Sequence, residues 1–139
     1  MTSSVTAAVL TLLGTLAAVA AAGIALRARS GRTRPAPDAA VTVRDIVPGA
    51  FDGVTLLQLS TTFCAQCRQA RTVLADFTAE HPGVRHVEIN LMERPELADR
   101  LRVRHTPTTL AVDPAGRELF RVCGIPRPQR LSEALNPQT

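Results

Sequence analysis

The sequence has no lysine, tryptophan or tyrosine, and only four phenylalanines and three cysteines among 139 residues. All 16 basic residues are therefore arginine. Without lysine there is no Schiff-base chemistry and no P-loop, whose phosphate contacts need that residue. At 3% aromatics there is no platform on which nucleic-acid bases would stack. The net charge of +4 comes with no reading motif, so no nucleic-acid partner is expected. Three cysteines are too few for a disulfide-stapled scaffold. A hydrophobic share of 45% against 20% charged excludes a disordered chain, and the length suits one folded domain. No internal repeat is visible.

The first quarter of the chain is of another character. Val5 to Leu26 carries no charge, and 17 of these 22 residues are Ala, Val, Ile or Leu; the others are Thr6, Thr11, Thr15, Gly14 and Gly23. A helix of this length reaches about 33 Å, enough to cross the hydrocarbon core of a bilayer. A secretory signal wants a basic start and a shorter apolar run, and a buried soluble helix would show a polar face. A single transmembrane anchor over residues 1–29, in contact with lipid through Val5–Leu26, is therefore preferred to both. Arg27, Arg29, Arg32 and Arg34 crowd its C-terminal flank and no arginine precedes it. The positive-inside rule then places the rest of the chain in the cytoplasm, with the opposite face as the alternative. Residues 30–40, with Gly31, Pro35 and Pro37 and no apolar periodicity, are expected to be a linker.

Residues 41–139 are expected to form the folded domain. Val41–Val43 suits a short edge strand. Val54–Leu59 is nearly all apolar, as in a strand buried on both faces. Thr61 and Thr62 are N-cap candidates for a helix running to Glu80, in which Ala70, Val73, Leu74 and Phe77 share one face. Val84–Leu91 alternates, with Val87, Ile89 and Leu91 on its apolar side and His86 on the polar, surface side. Pro95 opens a second helix to about Arg102. Thr108–Val112 and Glu118–Cys123 flank a turn at Asp113-Pro114-Ala115-Gly116 and form a hairpin. Arg127–Leu135 closes the chain as a helix. Parallel crossovers followed by an antiparallel hairpin define an α/β fold.

Phe63-Cys64-Ala65-Gln66-Cys67 falls where the buried strand turns into a helix. The thiolate is the reactive form of cysteine, and a helix N-terminus stabilises it through free N–H groups and the helix dipole. Cys64 gains this and is expected to be exposed. Cys67, one turn on, is expected to be shielded and still within reach of Cys64 to close a disulfide. The first would attack a substrate disulfide and the second resolve the mixed disulfide. A C-x-x-C is also half of many zinc sites. The other ligands would be Cys123, His81, His86 or His105, which make no second C-x-x-C and no H-x-x-x-H, so no metal is expected.

With this motif in its strand–helix context, the segment from Val41 to Leu135 resembles the thioredoxin family. Thr106-Pro107-Thr108, opening a strand about 40 residues later, matches the family's cis-proline beside the disulfide. Gly124 after the last strand matches its groove glycine. The resemblance implies a thioredoxin-like fold, a central mixed sheet flanked by helices. It implies thiol–disulfide exchange through Cys64 and Cys67, with Phe63, Thr106, Pro107 and Gly124 lining the substrate groove. The partners it implies are protein thiols or disulfides and a further thiol donor or acceptor of electrons, with no cofactor. Two departures stand out. The family's aromatic Trp-Cys-Gly-Pro-Cys becomes Phe-Cys-Ala-Gln-Cys. The buried acid six residues before the first cysteine becomes Gln58, which cannot act as a base. The resemblance places Cys123 near the groove, where it is a small buried hydrophobe or a third thiol. The whole describes a membrane-anchored oxidoreductase, or else a redox-sensing or client-binding module without efficient turnover.

Overall fold

Alternation along one strand sets the layers of the fold. Val54–Ser60 (β2) is buried almost throughout. Leu57 and Leu59 pack on one face with Val43, Ile46, Leu97, Leu101 and Leu110. Leu56 packs on the other with Leu74, Phe77, Phe120, Val122 and Leu131. Successive side chains of a strand point to opposite faces, so Gln58 shares the second face with Leu56.

The computed structural model describes residues 2–29, 33–35, 43, 45–47, 49 and 52–136. Two compact units divide the chain, Met1–Ser30 and Gly31–Thr139. The first holds one helix, α1 (Thr2–Arg29). Its stretch Val5–Arg29 is long and apolar enough to cross a membrane, and none of it is buried against protein; a signal sequence has the same character. Thr11 donates to the Ala8 carbonyl at 2.9 Å and Thr15 to that of Leu12 at 2.8 Å, so these hydroxyls need no water.

The second unit contains a five-stranded mixed sheet of order β1-β5-β4-β2-β3. Its elements are β1 (Thr33–Pro35), β2, α2 (Ala65–Glu80), β3 (Val84–Asn90), α3 (Glu96–Arg100), β4 (Thr108–Val112), β5 (Glu118–Cys123) and α4 (Pro128–Leu135). β2 and β3 are parallel, in register Leu56↔His86 and Gln58↔Glu88, with α2 as their crossover. β4 runs antiparallel to β2 and to β5. The thioredoxin-like α/β architecture expected from the sequence is present.

Four local expectations are corrected. Residues 33–35, taken for linker, form a strand that pairs with β5 as Thr33↔Val122 and Pro35↔Phe120, and a proline is tolerated in such an edge strand. Val43 is not a strand residue: it lies buried, its N–H bonded to the Gly116 carbonyl at 2.8 Å; residues 41–42 lie outside the described residues. α2 begins four residues after Thr61, because the two threonines are engaged elsewhere. Thr61 meets the Thr106 hydroxyl at 3.5 Å, and Thr62 accepts from Asn90 Nδ2 at 3.0 Å. α3 stops at Arg100, and Arg102 takes a left-handed φ of 51°.

The exit from α3 is tied to the sheet by Arg121. Its guanidinium donates to the Leu101 carbonyl at 3.2 Å and grips Glu118, with side chains 13% and 5% exposed. Arg121→Met would leave the Glu118 carboxylate buried without a partner. It is expected to cost about 3 kcal/mol in urea unfolding, much of which the added change Glu118→Leu restores.

Candidate active site

The cysteines occupy the first turn of α2. Cys64 is the N-cap, its backbone extended at φ −102° and ψ 103°, and it is half-buried. Cys67 is 1% exposed. The two are joined by a disulfide with Cα atoms 5.2 Å apart. The Cys67 N–H donates to Cys64 Sγ at 3.1 Å. A sulfur here takes the place of the oxygen usual at an N-cap, facing the donors that the first helical turn leaves unpaired. In the reduced state the same N–H and the helix dipole favour a thiolate on Cys64. The N-cap is therefore Cys64 itself, and not Thr61 or Thr62.

The second part of the site comes from the start of β4. The Thr106–Pro107 peptide bond is cis, as the sequence suggested. The Pro107 carbonyl accepts from the Gly124 N–H at 2.8 Å, one step beyond the Thr108↔Cys123 pair. Gly124 has φ 86°, a left-handed conformation that a side chain would strain. The Thr61–Thr106 contact holds this loop against the one that leads to Cys64. Phe63 stands 95% exposed beside Cys64. Cys123 is half-buried, unpaired and adjacent to Gly124.

Four residues around the disulfide, Gln58, His86, Arg71 and Glu88, were not foreseen together. Gln58 is fully buried. Its Nε2 donates to the Cys67 carbonyl at 2.9 Å, and its Oε1 lies 2.9 Å from His86 Nε2. His86 is thus not a surface residue. It is half-buried, and burial holds its pKa below the ordinary 6.5, with the Glu88 carboxylate opposing and Arg71 adding to the effect. The polar side of β3 faces α2, and alternation alone does not reveal this. Next to it, Arg71 grips Glu88, with Nη2 to Oε1 at 2.9 Å. That hydrogen bond is the largest cause holding the Glu88 carboxyl below its usual range. Cys64, Cys67, Ser60, Arg68, Arg71 and Glu88 border one polar cleft of about 410 Å³.

Among the described residues, the other two histidines make no hydrogen bond to the cysteines. His81 caps the far end of α2, about 24 Å along a 16-residue helix, and stacks on Phe77 at 4.0 Å. His105 is an exposed loop residue. Among the described residues no three of His, Cys, Asp and Glu come together as a metal site.

Comparison with known proteins fits this geometry. Thioredoxin H5 of Oryza sativa subsp. japonica is 34% identical over 53 residues, 38% of this chain and 39% of its own length. The chain thus spans about two fifths of the length of the curated relative it matches. Among solved structures, Fasciola hepatica thioredoxin is similar at a TM-score of 0.57 and 18% identity, over 67% of this chain and 88% of that one. The oxidized form of mitochondrial thioredoxin 3 from Saccharomyces cerevisiae is similar at 0.53 and 22%, over 61% and 77%. These likenesses speak to the fold. The profile of the thioredoxin-like domain matches residues 50–139, about two thirds of the chain. Because that match takes in the disulfide, the cis-proline loop and the last strand alike, the chain belongs to the thioredoxin-like family.

Proposed function

We propose that the protein is a membrane-anchored thiol–disulfide oxidoreductase acting on protein disulfides. The observation that carries this is a Cys64–Cys67 disulfide at a helix N-terminus, with a main-chain N–H directed at the outer sulfur. In the reducing direction, the Cys64 thiolate attacks a substrate disulfide. A Cys64–substrate bond forms, the substrate bond breaks, and one substrate sulfur leaves as thiolate and takes up a proton. Cys67 then gives up its proton and attacks Cys64 Sγ, which closes the disulfide and frees the second substrate thiol. Two electrons have passed to the substrate, and another dithiol restores the pair. Phe63, Thr106, Pro107 and Gly124 form the groove, where the Thr106 main chain would pair with an extended substrate segment. Arginine placement supports α1 as an anchor that keeps the domain in the cytoplasm, where the pair would stay reduced.

A second reading, a redox sensor or client holder with slow turnover, is favoured by Gln58. At that position an amide is bonded at both ends, and it cannot take the proton from Cys67. Reduction of insulin by dithiothreitol separates the two. The oxidoreductase accelerates it by at least about tenfold over buffer, and no acceleration leaves the binding module. A midpoint potential far above about −200 mV would exclude the cytoplasmic reductase.

A further inference from the structure

The bonds around Gln58 determine more than its own position. A carbonyl only accepts, so the Gln58 amide must turn its NH2 towards Cys67 and its Oε1 towards His86. His86 Nε2 therefore carries a proton in both charge states, and Nδ1 is the nitrogen that titrates. A titratable ring is thus linked by two hydrogen bonds, through a fully buried amide, to the main chain of the inner cysteine. The charged groups facing the ring are Glu88, from its own strand, and Arg71, from α2, which are bonded to each other. β2 presents its register partner Leu56 and the polar Gln58 to it, and among the described residues no strand lies beyond β3.

We propose that His86 is a positioning residue for the resolving step: through Gln58 it holds the Cys67 main chain for attack on Cys64, and its imidazolium charge favours the Cys67 thiolate. This rests on the oxidoreductase reading. A chain of hydrogen bonds in a low-dielectric interior orients its members and transmits polarisation. Removing the donor leaves Gln58 Oε1 buried and unpaired, which loosens the amide that anchors Cys67. Protonation of Nδ1 adds a positive charge behind the cysteine, so acid partly offsets its own removal of thiolate. The lowered His86 pKa puts this effect below pH 6.5.

The two thiol steps can be watched separately in the full-length chain carrying Cys123→Ala. Reduced protein is mixed with 5,5′-dithiobis(2-nitrobenzoate). Attack by Cys64 forms a mixed disulfide and releases one aryl thiolate. Attack by Cys67 on Cys64 Sγ then closes the protein disulfide and releases the second, the aryl disulfide taking both electrons. His86→Leu is expected to slow the second release about fivefold at pH 7 and to change the first by less than about twofold. His86→Gln keeps a side-chain N–H donor for Gln58 and restores the second release to within about twofold at pH 7. Below pH 6.5 the parent's second release falls less steeply than the roughly tenfold per pH unit of a simple thiol, whereas His86→Gln keeps the full slope. The inference is overturned if both variants match the parent in the second release, or if both releases slow alike. Its charge component is overturned if His86→Gln retains the shallow acid limb. A parent chain that gives no first release overturns the oxidoreductase reading itself.

Discussion

Cys64→Ser is expected to bring disulfide reduction down to the rate in buffer, a loss of at least about tenfold, while Cys67→Ser converts the protein into a trap for its substrates. The asymmetry follows from placement. Cys64 is the half-buried N-cap whose sulfur receives the Cys67 N–H, so it is the sulfur that can both ionise and meet a protein. A serine hydroxyl there stays protonated at neutral pH and forms no disulfide. Cys67 is 1% exposed and reaches only Cys64. Without it the attack still occurs, but the mixed disulfide has no internal resolver and accumulates. Non-reducing electrophoresis of a lysate should show dithiothreitol-sensitive adducts with Cys67→Ser and none with Cys64→Ser. Adducts formed by Cys64→Ser instead would reverse the two roles.

The second large effect concerns α1. The full-length chain is expected to stay in the membrane fraction through alkaline carbonate extraction, and deletion of residues 2–29 should move it to the soluble fraction. Val5–Arg29 spans about 37 Å as a helix, its threonine hydroxyls are bonded to its own backbone, and its large apolar side chains stand exposed. An apolar surface of this size gains free energy on leaving water, and a bilayer offers that. Full-length protein found in the soluble fraction with its N-terminal segment missing by mass would make α1 a cleaved signal. Protease protection in sealed vesicles then tests the arginine-based orientation, with a domain digestible from the cytoplasmic side as the expected result.

Local patterns made most of this molecule legible. β2, β3, β4, β5 and α2 fall within a few residues of where periodicity put them, because each carries the apolar spacing of its own secondary structure. The C-x-x-C was legible as chemistry because the helix N-terminus that activates it lies in the same short segment. Departures cluster where a residue's partner is far along the chain. Thr61 and Thr62 have suitable side chains for a cap, but those hydroxyls bond to Thr106 and Asn90, so the helix starts at the sulfur instead. Thr33–Pro35 looks like linker until β5 offers it an edge.

The sequence by itself determined the apolar N-terminal helix with its arginine flank, the order of elements from β2 to α4, and the cysteine pair at the β2–α2 junction. Each of these depends on neighbours a few residues away. Only the tertiary structure decided what stands behind the pair. The parallel register of β2 and β3 turns Gln58 and His86 towards α2, 28 residues apart in the chain and 2.9 Å apart in the fold. A strand's alternation tells which residues share a face, but not which face is covered; the packing of α2 across that sheet edge settles it.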